Sequence, residues 1–482
     1  MIDPVHTRNP HPPKQDNRII RRIAAVAGVV AVLAALPAPT AGAITPPVVE
    51  AGSLVRNAPV APPEATEQKM LCAKPVLAPG TDITVPSAAQ TMMRLPDAWR
   101  FSRGDGQKVA VIDTGVTRHP RLPRVQAGGD YVARTDGTDD CDGHGTLVAG
   151  IIAAQPSSTD AFAGVAPEAS IIAIRQSSGA FEAKDRRRNP APDPTVGSGF
   201  GTVQTLANAV VRAVDLGATV INISEVACGS AGTDLHDKQL GAAVKYAYDR
   251  NVVVVAAAGN LTQGSACSSQ NPPPNPANPE LAGWDTVTTV ASPAWYAPYV
   301  LSVAAVDSES GSPAGFSLSG PWVGVAAPGT DILSLDNAAG SNKLVNAHDG
   351  DKGLTSIDGT SFAAPYVAGV VALVRAKFPE LNAAEVMERI TRTAHAPGTG
   401  RDNTIGHGVI DPVAALTYDV PKVQTDWAVP QAISTPVENP PADTGPRTAA
   451  LIGIGACAVI LIAGWAVSMP ARRLRKLEPD EY

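Results

Sequence analysis

Four short runs of nearly unbroken apolar residues, Lys108 to Ile112, Ser170 to Ile174, Thr219 to Ile223 and Val252 to Ala257, alternate along the chain with longer stretches of helical periodicity. The helical stretches are His144 to Ala154, Val203 to Leu216, Lys238 to Asp249, Ser361 to Lys377 and Ala383 to Ala394. A strand with one face in water alternates polar and apolar residues, whereas a continuous apolar run is covered on both sides. Helices that cross between parallel strands provide that cover. The expected core is therefore an α/β domain, a parallel sheet with helices on both faces. Two long polar stretches interrupt it: Gln176 to Gly201, which carries the charged run Lys184 to Arg188, and the Asn/Pro-rich stretch Gln270 to Pro279. The charged run fits a solvated loop or a docking surface.

The ends of the chain have a different character. Arg18, Arg21 and Arg22 precede an apolar stretch from Ile23 to Leu36 and the small residues Ala41-Gly42-Ala43, the layout of a secretory signal peptide over residues 1–43. A retained N-terminal anchor is the alternative, but the apolar stretch is shorter than the ~20 residues a spanning helix needs. Arg21-Arg22 hints at twin-arginine export. Residues 44–90 form a proline-rich extended arm, and 419–447 a second proline-rich linker. Residues 448–469 carry no charge and are followed by Arg472, Arg473, Arg475 and Lys476, which predicts one C-terminal transmembrane helix and a basic cytoplasmic tail at 470–482. The rival for this end is a sortase-type sorting signal at Pro441 to Gly445, which lacks the expected leading leucine. The body at 91–418 is thus expected outside a plasma membrane that the chain crosses once.

Composition removes other classes. With 38 basic and 45 acidic residues the net charge is −7, so the basic footprint of a nucleic-acid binder is missing. Cys457 lies in the apolar C-terminal segment, leaving Cys72, Cys141, Cys228 and Cys267, which allow three pairings. Two disulfides are expected outside the cell. A Cys72–Cys141 bond would tie the arm to the body, and Cys228–Cys267 would close a loop within it.

Four sites carry chemistry. Asp113 ends an apolar strand in Asp-Thr-Gly, at the carboxyl edge where open parallel sheets place functional groups. Asp-Thr-Gly also marks aspartic proteases, but those need two such carboxylates, and the second copy, Asp443-Thr444-Gly445, lies in the linker without a preceding strand. His144, between glycines, opens an apolar helix. The nearby Asp139, Asp140 and Asp142 do not make an EF-hand, because Ala149 stands where the loop needs Glu. Asn260 follows a strand and could be a simple turn residue. Ser361 starts a helix and could be a simple N-cap. Together the four make sense chemically. A serine hydroxyl becomes a nucleophile when an imidazole takes its proton, and a buried carboxylate orients the ring. The Asn260 amide and the Ser361 N–H would then stabilise the oxyanion. No His-Glu-x-x-His is present among the eight histidines, so a metalloprotease is disfavoured, and no metal or cofactor is implied.

The strings Asp-Thr-Gly, His-Gly-Thr-x-Val-Ala-Gly, Gly-Asn and Gly-Thr-Ser-x-Ala-x-Pro, in that order between about Leu95 and Tyr418, resemble the subtilisin-like serine proteases. The resemblance implies Asp113, His144 and Ser361 as a triad converging within hydrogen-bond reach, or somewhat looser without substrate. It also implies Asn260 at the oxyanion hole and Ser224 on the strand that pairs with substrate backbone. Glu225-Val226 departs from the Leu-Gly of many members. The whole layout is similar to the mycosins, membrane-anchored proteases of type VII secretion systems. That likeness implies protein substrates, partnership with components of the secretion membrane complex, and an arm that wraps the catalytic domain without being a removed inhibitor.

Overall fold

The computed structural model describes residues 44–184, 195–196, 199–350 and 353–421, with isolated positions between 453 and 461. Contacts divide the chain into Met1–Val420 and Pro421–Tyr482, and the fold below belongs to the first unit. The expected signal peptide, residues 185–188, the linker beyond 421 and the expected spanning segment lie outside the described residues, those isolated positions apart. Among the described residues no helix is long and apolar enough to cross a membrane.

One seven-stranded sheet organises the body. Its strands are β1 (Lys108–Asp113), β2 (Val125–Asp130), β3 (Ser170–Arg175), β4 (Val220–Ile223), β5 (Val253–Ala257), β6 (Val300–Val306) and β7 (Val323–Pro328). All neighbours are parallel, in the order β7-β6-β5-β4-β1-β3-β2. The chain leaves β1 for the edge at β2, returns to β3 beside β1, then crosses to β4 on the other side. That reversal is where a parallel sheet opens a crevice at its carboxyl ends.

The longer helices are α1 (His144–Ala153), α2 (Val203–Asp215), α3 (Lys238–Asp249), α4 (Thr360–Lys377) and α5 (Ala383–Arg392). Alternate residues of each strand face opposite layers. Val109 and Val111 of β1 join Leu147, Val148 and Ile151 of α1 and Val367, Val370 and Val371 of α4. Ala110 and Ile112 point the other way, against Leu206 and Val210 of α2 and Leu240 and Val244 of α3. Each such Val, Leu or Ile contributes about 1.5–3 kcal/mol on burial. Capping boxes at Thr202 with Thr205 and at Asn382 with Glu385 fix where α2 and α5 begin.

Strands β2, β6 and β7 were not expected from the sequence. Val125–Asp130 contains two glycines and lies at a sheet edge, so it lacks the continuous apolar run of the interior strands. Val323–Pro328 is the other edge and ends in proline. Val300–Val306 is wholly buried, but follows a turn-rich stretch.

Residues of the arm are fastened to the body at several points. Thr66–Gln68 pairs antiparallel with Phe181–Ala183. Cys72 is bonded to Cys141, and the Ala73 N–H donates to the Cys141 carbonyl at 2.8 Å. Further on, Val76 N–H donates to the Ala347 carbonyl at 2.8 Å. The second disulfide, Cys228–Cys267, joins two segments of the body.

Candidate active site

Asp113 ends β1 with its side chain wholly buried, and His144 opens α1 with 25% of its side chain exposed. The His144 Nδ1–H donates to Asp113 Oδ1 at 2.7 Å, and the Thr114 N–H donates to the same oxygen at 2.8 Å. With Nδ1 so engaged, Nε2 is the nitrogen left to take a proton. The close approach of α1 to β1 depends on Gly145, where a Cβ would lie 2.0 Å from the Gly115 carbonyl oxygen and 3.1 Å from Asp113 Cβ.

Asp140 holds this junction together. It accepts from Thr114 Oγ1 at 2.8 Å, Gly143 N at 2.8 Å, Thr146 N at 2.8 Å and Thr146 Oγ1 at 2.6 Å. It therefore caps α1 and grips the loop after Asp113 at once. Burial raises its carboxyl to about 6, although the hydrogen bonds of Thr146 and Thr114 oppose that rise. Sequence reasoning missed this role, because Asp140 reads there as one of several neighbouring acids. Asp142 grips a third segment, accepting from Gly179 N at 2.8 Å and Ala180 N at 3.2 Å.

Ser361 is the second residue of α4 and is largely buried. The ring of its neighbour Phe362 lies 4.9 Å from the His144 ring, which brings the helix start against the imidazole. Among the described residues the Ser361 hydroxyl makes no hydrogen bond to His144, so the Asp–His link is formed while the Ser–His link is open. Catalytic hydrogen bonds are commonly this loose before substrate binds. Gly359 leaves the room in front of the serine: a Cβ there would lie 2.8 Å from Ser361 Oγ and 3.3 Å from Asn260 Nδ2.

Asn260 is fixed by its oxygen. Asn260 Oδ1 accepts from Thr360 N at 2.9 Å and Thr360 Oγ1 at 3.0 Å, so its amide nitrogen is turned toward the space beside Ser361. Ser224 takes a part the sequence did not suggest. Pro365 has no N–H to give the carbonyl four residues earlier, which is that of Ser361. Ser224 Oγ supplies the missing donor at 2.8 Å, and itself accepts from Asn222 Nδ2 at 2.8 Å.

Among the described residues, one group of ligating side chains lies close enough to share an ion: Asp113, His144 and Glu225, with ligating atoms within 4.8 Å of one another. The same proximity sets the electrostatics. Burial alone would depress the His144 imidazole, but the charge and hydrogen bond of Asp113, then the charges of Glu225 and Asp140, raise it to about 9.

Known proteins of similar sequence and fold identify the family. Residues 104–408 match the model of the subtilase family of peptidases. Mycosin-3 of Mycobacterium tuberculosis is 45% identical, with 96% of this chain and 100% of the relative covered. Mycosin-1 of Mycolicibacterium smegmatis is 44% identical over 93% and 98% of the two chains. The chain belongs to the mycosins, within the subtilase family. It is accordingly a serine protease. The crystal structure of MycP1 from Mycobacterium smegmatis superposes with a TM-score of 0.73 at 45% identity, covering 78% of this chain and 96% of that one. A chain in the structure of an intact ESX-5 inner membrane complex is 44% identical, with 88% and 100% covered and a TM-score of 0.72.

Proposed function

We propose that this mycosin is a membrane-anchored endopeptidase that cleaves exported protein substrates through Asp113, His144 and Ser361, as part of a type VII secretion system. The observation that carries the reading is the 2.7 Å Asp113–His144 bond beside a serine at a helix start. In the forward step Ser361 Oγ attacks the scissile carbonyl carbon while His144 Nε2 takes the hydroxyl proton. Asp113 holds the ring and stays ionised. The carbonyl oxygen becomes an oxyanion that receives hydrogen bonds from Asn260 Nδ2 and the Ser361 N–H. As the C–N bond breaks, His144 returns its proton to the leaving amine, and water then hydrolyses the acyl-enzyme by the same relay. Ser224 acts indirectly, holding the Ser361 carbonyl and hence the register of the first turn of α4.

Anchoring rests on the uncharged segment 448–469 with its basic flank, and an extracytoplasmic catalytic domain rests on the N-terminal leader pattern and the two disulfides. The nucleophile is tested by labelling with a fluorophosphonate. Ser361→Ala should abolish both labelling and peptide cleavage; labelling that persists at the site rejects the assignment.

A second reading has its own support. The relative in the ESX-5 inner membrane complex structure suggests that this chain is also a building part of such an assembly. Complementing a deletion strain with Ser361→Ala separates the roles. Restored secretion supports a stabilising subunit with proteolysis secondary, whereas lost secretion at normal protein levels makes cleavage the essential part.

A further inference from the structure

Glu225 follows β4 and Ser224, at the position where the motif departs from the Leu-Gly of many subtilases. Its Oε2 is buried without a hydrogen-bond partner among the described residues, and so is Oδ2 of the wholly buried Asp113. A buried carboxylate oxygen without a partner is costly and uncommon. Both lie within 4.8 Å of a basic ring that becomes a cation during each catalytic cycle. We propose that Glu225 is a positioning residue of the site: a second carboxylate that, with Asp113, stabilises the imidazolium formed when His144 takes the Ser361 proton. That role rests on the triad reading above.

The proton balance is simple. The proton passes from Ser361 Oγ to His144 Nε2, and none is handed on to either carboxylate. Charged groups from three places around the ring contribute to its field, while α4 brings only the uncharged Phe362 ring against it. Asp113 comes from the end of β1, Asp140 from the loop before α1, and Glu225 from the end of β4. His348, in the hairpin formed by Ala347–Gly350 and Gly353–Ser356, is depressed first by burial and then by the His144 charge. Asp142 bears on Glu225, and the Ser177 hydroxyl lies beside it. Three acids against one weak base favour the cation on His144. Burial, then the charge of Asp113, raises Glu225 itself to about 7. Glu225 and His144 should therefore titrate as an interacting pair.

The test uses the full-length chain as wild type, Glu225→Gln and Glu225→Asp. The second-order rate of fluorophosphonate labelling is followed from pH 5 to 10. Removing a negative charge beside an imidazolium makes it more acidic, so the acid limb in Glu225→Gln should move about one unit to lower pH. Glu225→Asp keeps the charge and should remain close to wild type. The same shift should appear in the downfield proton signal of the His144 ring in a Ser361→Ala background, where no turnover is involved. An acid limb and ring signal that stay put in Glu225→Gln, or move up, overturn the assignment. If wild type fails to label, the nucleophile assignment is what fails, and the ring signal still reads Glu225. Should Glu225→Gln not fold, Glu225→Ala in the Ser361→Ala background is read the same way: a ring signal that moves to lower pH supports the role, and one that stays put overturns it.

Discussion

The two helices that deliver His144 and Ser361 begin in similar ways but are capped by groups of different charge. At the start of α1, N–H donors are taken by the Asp140 carboxylate and the Thr114 hydroxyl. At the start of α4, the Thr360 N–H is taken by a neutral amide oxygen, Asn260 Oδ1. In the proposed mechanism, the difference matches the charge that each of the two side chains meets in the transition state. A carboxylate beside His144 favours a developing cation, whereas a carboxylate beside Ser361 would repel a developing oxyanion. An amide caps without charge, and its nitrogen stays available as a donor. Position and electrostatics are thus set by the same capping side chain.

Exchanging the charge at α4 should break this correspondence most severely. Asn260→Ala removes one oxyanion donor, and by analogy with the subtilisin case should cost about 10²–10³ in kcat. Asn260→Asp removes the donor and adds a repelling charge, so its kcat should fall further, by about 10³ or more, with KM little changed. Steady-state peptide hydrolysis reads both, and an Asp variant as active as the Ala variant would contradict the charge argument.

Breaking the cap of α1 should act on stability as well as on rate. Asp140→Ala leaves two buried N–H groups and two buried hydroxyls without their acceptor. A loss of about 3 kcal/mol in urea unfolding is expected, together with a rise in KM and a fall in kcat as the ring loosens. The smallest effect concerns the carbonyl of Ser361. Ser224→Ala should cost about 1 kcal/mol in the wild-type background. In a Pro365→Ala background, where a helical N–H can serve the same carbonyl, it should cost less than half of that. Equal costs in the two backgrounds would remove Ser224 from its assigned task.

How much of this was legible in the sequence depended on burial. Strands β1, β3, β4 and β5 sit inside the sheet, and their continuous apolar runs announced them. β2 lies at an edge and carries two glycines, so the same signal was absent, whereas the apolar runs of β6 and β7 were masked by the turn-rich stretch before β6 and by the proline that ends β7. In the site, the motif residues were readable because their neighbours are constrained: glycines for close approach, small residues for a buried helix. Asp140 and the Ser224 hydroxyl were not readable. Each acts on a segment remote in sequence, Asp140 on Thr114 and Ser224 on Ser361, and only the folded chain brings the partners together. Glu225 was visible as a departure from the motif, but its meaning required knowing that it looks onto His144.

The sulfur bridge from Cys72 lands three residues before His144. A cut anywhere between Cys72 and the short helix at Ala88–Met93 would leave the severed arm still fastened beside the His144 ring. Nicking alone would not shed the segment; release would additionally require a reductant. On a denaturing gel the two fragments of a clipped chain should run together until thiol is added.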